Sequence, residues 1–99
     1  MSLSTHVLNA ATGRPADGVS VRLERADGTV LAAHRTDADG RIKDLPAPEP
    51  GVHRLIFDTG DISPFYPEVT IAFTVTDPAE HYHVPLLLSP YSFSTYRGS

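Results

Sequence analysis

The chain of 99 residues contains no cysteine and no tryptophan, and it has a single methionine. Without cysteine the protein has no disulfide, no thiolate nucleophile and no sulfur ligand for a structural zinc ion. A domain of this size buries only about two thirds of the surface of its unfolded chain, so its stability is marginal. We therefore expect association with further copies of the chain to enlarge the core.

Long apolar runs and clusters of basic residues are also missing. Continuous apolar runs such as Leu86–Leu88 are far shorter than the ~20 residues that span a bilayer. Lysine and arginine are scattered and the formal net charge is -4, which argues against a nucleic-acid partner. The opening segment Met1–His6 has neither the positive charge nor the apolar stretch of a signal peptide. We expect a cytoplasmic protein that binds neither nucleic acid nor membrane.

Alternation of apolar and polar residues with a period of two dominates the sequence. Within Val19–Arg25 and Val69–Thr76 the alternation is typical of strands in an antiparallel sheet with one solvent-exposed face. Further strands are predicted at Ser4–Asn9, Thr29–Arg35, Val52–Thr59, Tyr82–Leu88 and Tyr91–Tyr96, with a short one around Arg41–Leu45. Because helical periodicity is nearly absent, the pattern indicates an all-β protein.

Turn-forming residues separate the predicted strands. Asp27-Gly28 indicates a hairpin, because both residues tolerate positive φ, and residues 12–18 and 46–51 are predicted loops. The connection Thr59–Pro67 holds two prolines and one glycine, so we expect a turn or a single 3₁₀ turn there. The whole pattern predicts a two-sheet antiparallel β-sandwich of about seven or eight strands, formed by residues 1–99 as a single domain.

The C-terminal residues place several polar groups at the end of a predicted strand. The strand-like run Ser89–Tyr96 is followed only by Arg97, Gly98 and Ser99. A phenol, a guanidinium, a hydroxyl and an α-carboxylate therefore lie within four residues. The carboxylate is ionised at neutral pH, since its unperturbed pKa is about 3.5.

Four segments of the chain carry motifs of a known family. Tyr96–Ser99 resembles the C-terminal signature of the 5-hydroxyisourate hydrolases, the enzymatic branch of the transthyretin-like family. A second similar segment is Ser4–Asn9 with Gly13–Ala16, and it carries His6. The third is Thr36–Arg41, which places Arg41 directly after an Asp-Gly turn. The fourth is His81–Ser99, which carries His83. The resemblance runs from about Leu3 to Ser99 and departs clearly only at the shortened Gly60–Pro64 connection.

The resemblance implies a transthyretin-like fold and a hydrolase that needs no cofactor and no metal. Its reaction would be the hydrolysis of 5-hydroxyisourate at a cyclic amide to give 2-oxo-4-hydroxy-4-carboxy-5-ureidoimidazoline, a step of urate degradation. The resemblance also implies a homotetramer with its sites at the dimer–dimer interface. The His83 segment and the C-terminal segment would then line a channel between dimers.

Hydrolysis of a cyclic amide requires an activated water, stabilisation of an oxyanion and a proton for the leaving nitrogen. Histidine suits the proton transfers because its pKa of about 6.5 lies near operating pH, and the planar guanidinium of arginine matches anionic oxygens. The residues that match the family motif as catalytic are His6, Arg41, His83 and Ser99. Those that match it as substrate-binding are His6, Arg41, Tyr96 and Arg97. Which histidine is the base is left open.

Three other interpretations compete with the hydrolase. His81 and His83 share one strand face and would chelate a metal ion if a third ligand came near. A non-enzymatic carrier of small ligands on the same fold, such as transthyretin, would lack the Tyr-Arg-Gly-Ser ending and the matching histidines and arginine. A generic immunoglobulin-like module would explain the first half of the chain and leave His83–Ser99 unexplained.

Some residues outside these motifs also carry expectations. His34 and His53 lie in alternating strands and are expected to face solvent. Pro85 cannot donate to a ladder, so it predicts an edge strand or a bulge beside His83. The continuous run Leu86–Leu88 indicates burial on both faces, partly by another subunit.

Overall fold

The computed structural model describes residues 2–46 and 48–99, which form nine strands and no helix. In chain order the strands are β1 Ser2–Asn9, β2 Arg14–Pro15, β3 Ser20–Arg25, β4 Val30–Arg35, β5 Arg41–Leu45, β6 Gly51–Asp58, β7 Glu68–Val75, β8 His81–Ser89 and β9 Ser92–Thr95. The all-β prediction is confirmed. The additional strand is the two-residue β2, which lies inside the predicted loop 12–18, where the sequence has no alternating pattern.

The strands form two sheets, as predicted. One sheet has the order β2-β1-β8-β9, with β5 also paired to β1, and the other has the order β4-β3-β6-β7. The pairing of β1 with β8 is parallel, whereas the other described strand pairs are antiparallel. The first sheet is therefore mixed, a feature that local alternation does not report.

The core fills the space between the sheets because each strand directs alternate side chains inward. In β1, Leu3, Thr5 and Val7 are buried, whereas Ser4 and His6 are half-buried on the opposite face. The Thr5 hydroxyl donates a hydrogen bond to the Val84 carbonyl at 2.6 Å, so its burial leaves no polar atom unpaired. The largest fully buried side chains include Leu23, Leu55, Phe57, Leu86 and Leu88.

The expectation that His53 faces solvent is wrong, because only 3% of the residue is exposed. His53 lies on β6 between β3 and β7 and shares the core-facing side with Leu55 and Phe57. Its ring lies 6.2 Å from that of Phe73, and Nδ1 is 3.2 Å from the Gly51 carbonyl oxygen. His34 is exposed on β4, at the edge of its sheet, as expected.

Pro85 is neither on an edge strand nor at a bulge, so that expectation is also wrong. Strand β8 lies between β1 and β9, and its register with β1 is continuous across Pro85. The ladder between β8 and β9 ends beside the proline, at Leu86 and Thr95, and Gly98 then pairs with His83 as an isolated bridge. The Thr95 hydroxyl donates to the Pro85 carbonyl at 2.7 Å. The proline is tolerated because the ladder is interrupted where its N–H is missing.

The connection from β6 to β7 is a turn, as predicted for Thr59–Pro67. The Thr59 carbonyl accepts hydrogen bonds from the amides of Ile62 and Ser63 at 3.0 and 2.9 Å, and the Ser63 hydroxyl donates to the Pro90 carbonyl at 2.8 Å. The loop predicted at 46–51 includes Ala47, which lies outside the described residues. In the part of the chain that is described, no helix is long and apolar enough to cross a membrane.

The Leu86–Leu88 run is buried mainly on one face within this chain. Leu86 and Leu88 are fully buried in the core, whereas Leu87 is half-buried on the opposite face. Coverage of that opposite face by another subunit stays a prediction.

Gly40 ends the turn before β5 and contacts β1. Its φ is +74°, and its carbonyl accepts a hydrogen bond from the Val7 amide at 2.7 Å. A Cβ at this position would overlap the Val7 carbonyl oxygen. This contact is the reason that the turn before Arg41 ends on a glycine.

Replacement of Gly40 should therefore destabilise the protein more than replacement of Gly18. Both glycines have similar φ values, +74° and +76°, but a Cβ on Gly18 would meet nothing within 4 Å. We expect Gly18→Ala to cost about 1–2 kcal/mol through its left-handed backbone. Gly40→Ala should cost more, because β1 must also shift. Urea unfolding measures both, and equal losses would contradict the steric role of the β1 contact.

Candidate active site

A cleft of about 430 Å³ opens on the first sheet beside the outward-facing side chains of β1 and β8. The residues that line it are Ser4, Thr5, Asp39, Arg41, Ile42, Lys43, His81, His83 and Ser99. They come from β1, β8, β5 with the turn that precedes it, and the C-terminal segment. The parallel pairing of β1 with β8 and the antiparallel pairing of β1 with β5 bring these distant segments together.

The Asp-Gly turn positions Arg41 at the start of β5. One carboxylate oxygen of Asp37 accepts hydrogen bonds from the amides of Asp39 and Arg41 at 2.9 and 3.0 Å, and the Asp37 amide donates to the Arg41 carbonyl at 3.0 Å. The hydrogen bond from the Arg41 amide is the main reason that the pKa of Asp37 lies below its ordinary value. Since Arg41 pairs with His6 on β1, the turn sets the place where its guanidinium enters the cleft.

His83 lies across the cleft and is held by Ser4 of the neighbouring strand. The Ser4 Oγ is 2.7 Å from Nδ1 of His83 and 3.1 Å from Nε2 of His81. The Ser2 hydroxyl forms a hydrogen bond with Nδ1 of His81. Neither Ser4 nor the cleft-lining position of His81 was identified from the sequence as part of the hydrolytic site. The available signal was strand parity, because Ser4 shares a face with His6.

The surroundings of His83 favour its neutral form. Burial lowers the pKa of His83 below its ordinary value of 6.5, and the positive charge of Arg41 lowers it further, with smaller effects from His81 and His6. A hydrogen bond with the Ser4 backbone acts in the opposite direction. A neutral imidazole next to a cation is able to accept a proton from water at neutral pH.

The C-terminal segment reaches the cleft through Gly98. The Gly98 amide donates to the His83 carbonyl at 2.8 Å, and this bridge carries Ser99 to the cleft. A Cβ on Gly98 would overlap the imidazole carbon Cδ2 of His83, so only glycine leaves room for the ring in this position.

The structure does not bring all the predicted site residues together. Arg41, His83 and Ser99 line one cleft. His6 is half-buried and pairs in register with Arg41 and Pro85, next to the cleft but not among its lining residues. Its role stays a prediction, like those of the other three.

Tyr96 and Arg97 lie elsewhere, at a second cavity of about 370 Å³ beside β7. Arg97 forms an ion pair with Glu80 at 2.8 Å, and its guanidinium lies 4.6 Å from the ring centre of Tyr82. Neither side chain lines the cleft within one chain, and their substrate-binding roles stay predictions.

The alternative that His81 and His83 bind a metal ion lacks a third ligand among the described residues. No group of three histidine, cysteine, aspartate or glutamate side chains within residues 2–46 and 48–99 is arranged to hold a metal. Instead, Nδ1 of His83 and Nε2 of His81 both lie within hydrogen-bond distance of the Ser4 hydroxyl.

The sequence and the fold are similar to those of known proteins. Residues 3–98 match the model of the HIUase/Transthyretin family. The chain is 49% identical to a 5-hydroxyisourate hydrolase from Caulobacter vibrioides, over 98% of this chain and 97% of that protein. The structure of Klebsiella pneumoniae 5-hydroxyisourate hydrolase superimposes with a TM-score of 0.89 at 38% identity, over 99% of this chain and 98% of the other. Transthyretin from Sparus aurata gives a TM-score of 0.86 at 32% identity, over 98% and 96%. The chain belongs to the HIUase/Transthyretin family.

Replacing Arg41 should raise the pKa of His83. We expect Arg41→Gln to move this pKa upward towards 6.5, because a nearby positive charge no longer opposes the imidazolium. NMR titration of the His83 ring protons measures the shift. Arg22→Gln is the matched control, because Arg22 pairs with Glu24 on the other sheet and should leave His83 unchanged.

The same pKa predicts the direction of a stability change. A histidine with a lowered folded-state pKa stabilises the fold above pH 6.5 relative to lower pH, since the unfolded chain binds the proton first as the pH falls. The pH dependence of stability just below 6.5 should therefore be weaker in Arg41→Gln. An unchanged His83 titration in this variant would contradict the electrostatic link.

Proposed function

We propose that the protein hydrolyses 5-hydroxyisourate to 2-oxo-4-hydroxy-4-carboxy-5-ureidoimidazoline, a step of urate degradation. The observation that carries the proposal is the cleft in which a half-buried His83, with a lowered pKa, lies opposite Arg41. Relatives with nearly full mutual coverage, from Caulobacter vibrioides and from mouse, bear the name 5-hydroxyisourate hydrolase at 49% and 44% identity.

The proposed mechanism assigns the base to His83. Its Nε2 removes a proton from water, and the resulting hydroxide attacks the carbonyl carbon of the cyclic amide. Arg41 stabilises the oxyanion, since its guanidinium stays charged throughout. The C–N bond then breaks as the proton is delivered to the leaving nitrogen. No cofactor takes part in these steps.

The remaining predicted residues complete the proposal. Ser99, through its hydroxyl, orients His83 and closes the side of the cleft opposite β5. His6 binds the substrate beside Arg41 and assists His83 in the proton transfers. Tyr96 and Arg97 contribute to substrate binding through the assembled oligomer, since within one chain they line a different cavity.

A non-enzymatic carrier on the same fold is the alternative. Transthyretin from Sparus aurata shares the fold at a TM-score of 0.86, so the fold alone does not separate the two activities. The cleft does favour hydrolysis, because a carrier has no need for an uncharged imidazole held next to an arginine. We propose that the reaction takes place in the cytoplasm. A chain without cysteine forms no disulfide and so does not need an oxidising compartment in order to fold.

Turnover tests the proposal directly. Freshly generated 5-hydroxyisourate decays spontaneously, and its ultraviolet absorbance should fall faster with the wild-type protein. We expect His83→Ala to lose about 10²-fold or more of the rate, the range typical of general bases. His34→Ala is the matched control, because His34 is exposed on the other sheet. A wild type that does not accelerate the decay would exclude the hydrolase.

The same assay tests Ser99. A Ser99→Ala variant should lose activity, since it removes the hydroxyl that is proposed to orient His83. If this variant were fully active, the role assigned to the Ser99 hydroxyl would be wrong.

We also propose a homotetramer with its sites at the dimer–dimer interface. Strands β7 and β9 are edges of their sheets within one chain, and all four residues of β9 are exposed. Exposed aromatic side chains accompany this edge, with Tyr91 at 71%, Tyr96 at 60% and Phe93 at 40%. Unpaired edges and exposed aromatics of this kind favour association in so small a domain.

Sedimentation equilibrium measures the assembly. At micromolar concentration we expect a species with four times the mass of one chain. Phe93→Arg on β9 should reduce that mass, because it places a charge on the proposed interface. Val30→Arg, at an exposed apolar position on the edge strand β4, is the control and should leave the mass unchanged. A wild-type monomer at these concentrations would contradict the proposal.

A further inference from the structure

The Ser4 hydroxyl lies between two imidazoles, and this arrangement has no role in the mechanism given above. Its Oγ is 2.7 Å from His83 Nδ1 and 3.1 Å from His81 Nε2, while the Ser2 hydroxyl is hydrogen-bonded to the other nitrogen of His81. The parallel register places Ser2 opposite His81 and Ser4 opposite His83. The four side chains thus form one continuous row of hydrogen bonds along the outer face of the sheet.

The number of hydrogen atoms available in this row of hydrogen bonds couples the tautomers of the two histidines. A hydroxyl has one hydrogen to donate, and a neutral imidazole has one N–H. If Ser4 donates to one imidazole, it must accept from the other. When His83 donates from Nδ1, Ser4 donates to His81 Nε2, and His81 donates from Nδ1 to Ser2. If the donor and acceptor of one hydrogen bond exchange roles, those of the other hydrogen bonds must exchange as well. Both neutral histidines must therefore be in the same tautomer.

The tautomer of His83 decides whether it can act as a base. Nε2 of His83 has no hydrogen-bond partner among the described residues, and the side chain lines the cleft. Only the Nδ1–H tautomer leaves a lone pair on Nε2 to accept a proton. In that tautomer the Ser4 hydroxyl accepts from His83 and points its own hydrogen at His81.

We propose that Ser4 and His81 are positioning residues that form a proton relay behind His83, a role that rests on the proposed hydrolysis. As Nε2 of His83 takes a proton from water, its Nδ1 proton moves to Ser4 and the Ser4 proton moves to Nε2 of His81. The hydroxide forms the new C–O bond at the amide carbonyl. When the C–N bond breaks, Nε2 of His83 protonates the leaving nitrogen and the relay protons return. One water is consumed, and the protein is restored.

The relay moves the transient positive charge from His83 to His81, where solvent stabilises it better. Within one chain His83 is half-buried and shares the cleft with Arg41, whereas His81 is exposed. An imidazolium is therefore better solvated at His81 than at His83. The other charged or titratable groups at the cleft and beside these histidines are His6, Asp39 and Lys43. Glu80 directly precedes His81 in the sequence. Glu80 is engaged with Arg97, so it does not replace the relay as a proton acceptor.

NMR of the imidazole nitrogens in the substrate-free protein tests the coupling without turnover. At a pH where both rings are neutral, we expect His81 and His83 to be in the Nδ1–H tautomer together. Ser4→Ala should uncouple them and change the His83 tautomer, and Ser4→Thr should restore it. Ser20→Ala, on β3 of the other sheet, is the matched control.

Kinetics tests the relay itself. Ser4→Ala should lower kcat about tenfold or more with little change in KM, within the range of general acid–base effects. Ser4→Thr should recover most of this loss. His81→Gln should lower kcat similarly, and the double variant should lose no more than either single one, because both changes break the same relay. The acid limb of the pH profile should shift in both single variants.

The possible failures are distinguishable. Coupled Nδ1–H tautomers in a wild type without turnover would contradict the proposed hydrolysis. Opposite tautomers, an Nε2–H tautomer at His83, or wild-type kcat in Ser4→Ala would overturn the relay while leaving the hydrolysis intact.

Discussion

The parallel pairing of β1 with β8 is the interaction on which the rest of the structure depends. It runs in continuous register from Ser2 opposite His81 to Asn9 opposite Leu88. On its inner side it buries Leu3, Val7 and Leu86 in the core, and on its outer side it places Ser4 beside His83. Because side chains alternate strictly along a strand, a slip of one residue would exchange the two faces. The register that closes the core is thus the same register that assembles the site.

Two further strands complete the site from opposite sides of this pair. Strand β5 brings Arg41 next to β1, after a turn that Asp37 fixes through two backbone hydrogen bonds. The C-terminal segment returns along β8 and contacts the His83 ring through Gly98. The result is an imidazole enclosed by backbone on one side and by a guanidinium charge across the cleft. Burial and charge both act to keep that imidazole neutral.

Much of this arrangement can be predicted from the sequence, and the features that could not be predicted share a physical cause. Alternation located the principal strands, and the parity of His53 with Leu55 and Phe57 would have predicted its burial. The resemblance to a family selected Arg41, His83 and Ser99, which do share a cleft. Strand order is non-local, however, so the sequence did not reveal that Pro85 lies on an inner strand. For the same reason it did not reveal that Ser4 contacts two histidines from the far end of the chain, or that Tyr96 and Arg97 lie at a different cavity.

The bridge between His83 and Gly98 restricts how the C-terminal segment can vary in length. Gly98 occupies the position that the β8–β9 ladder would reach if it continued past Pro85 without a change of register. Inserting or deleting one residue between β9 and this bridge would bring a neighbour of Gly98 opposite the imidazole. Either neighbour, Arg97 or Ser99, has a Cβ, and the His83 ring leaves no room for one there. The number of residues between β9 and Gly98 is therefore set by the fit of Gly98 against the His83 ring.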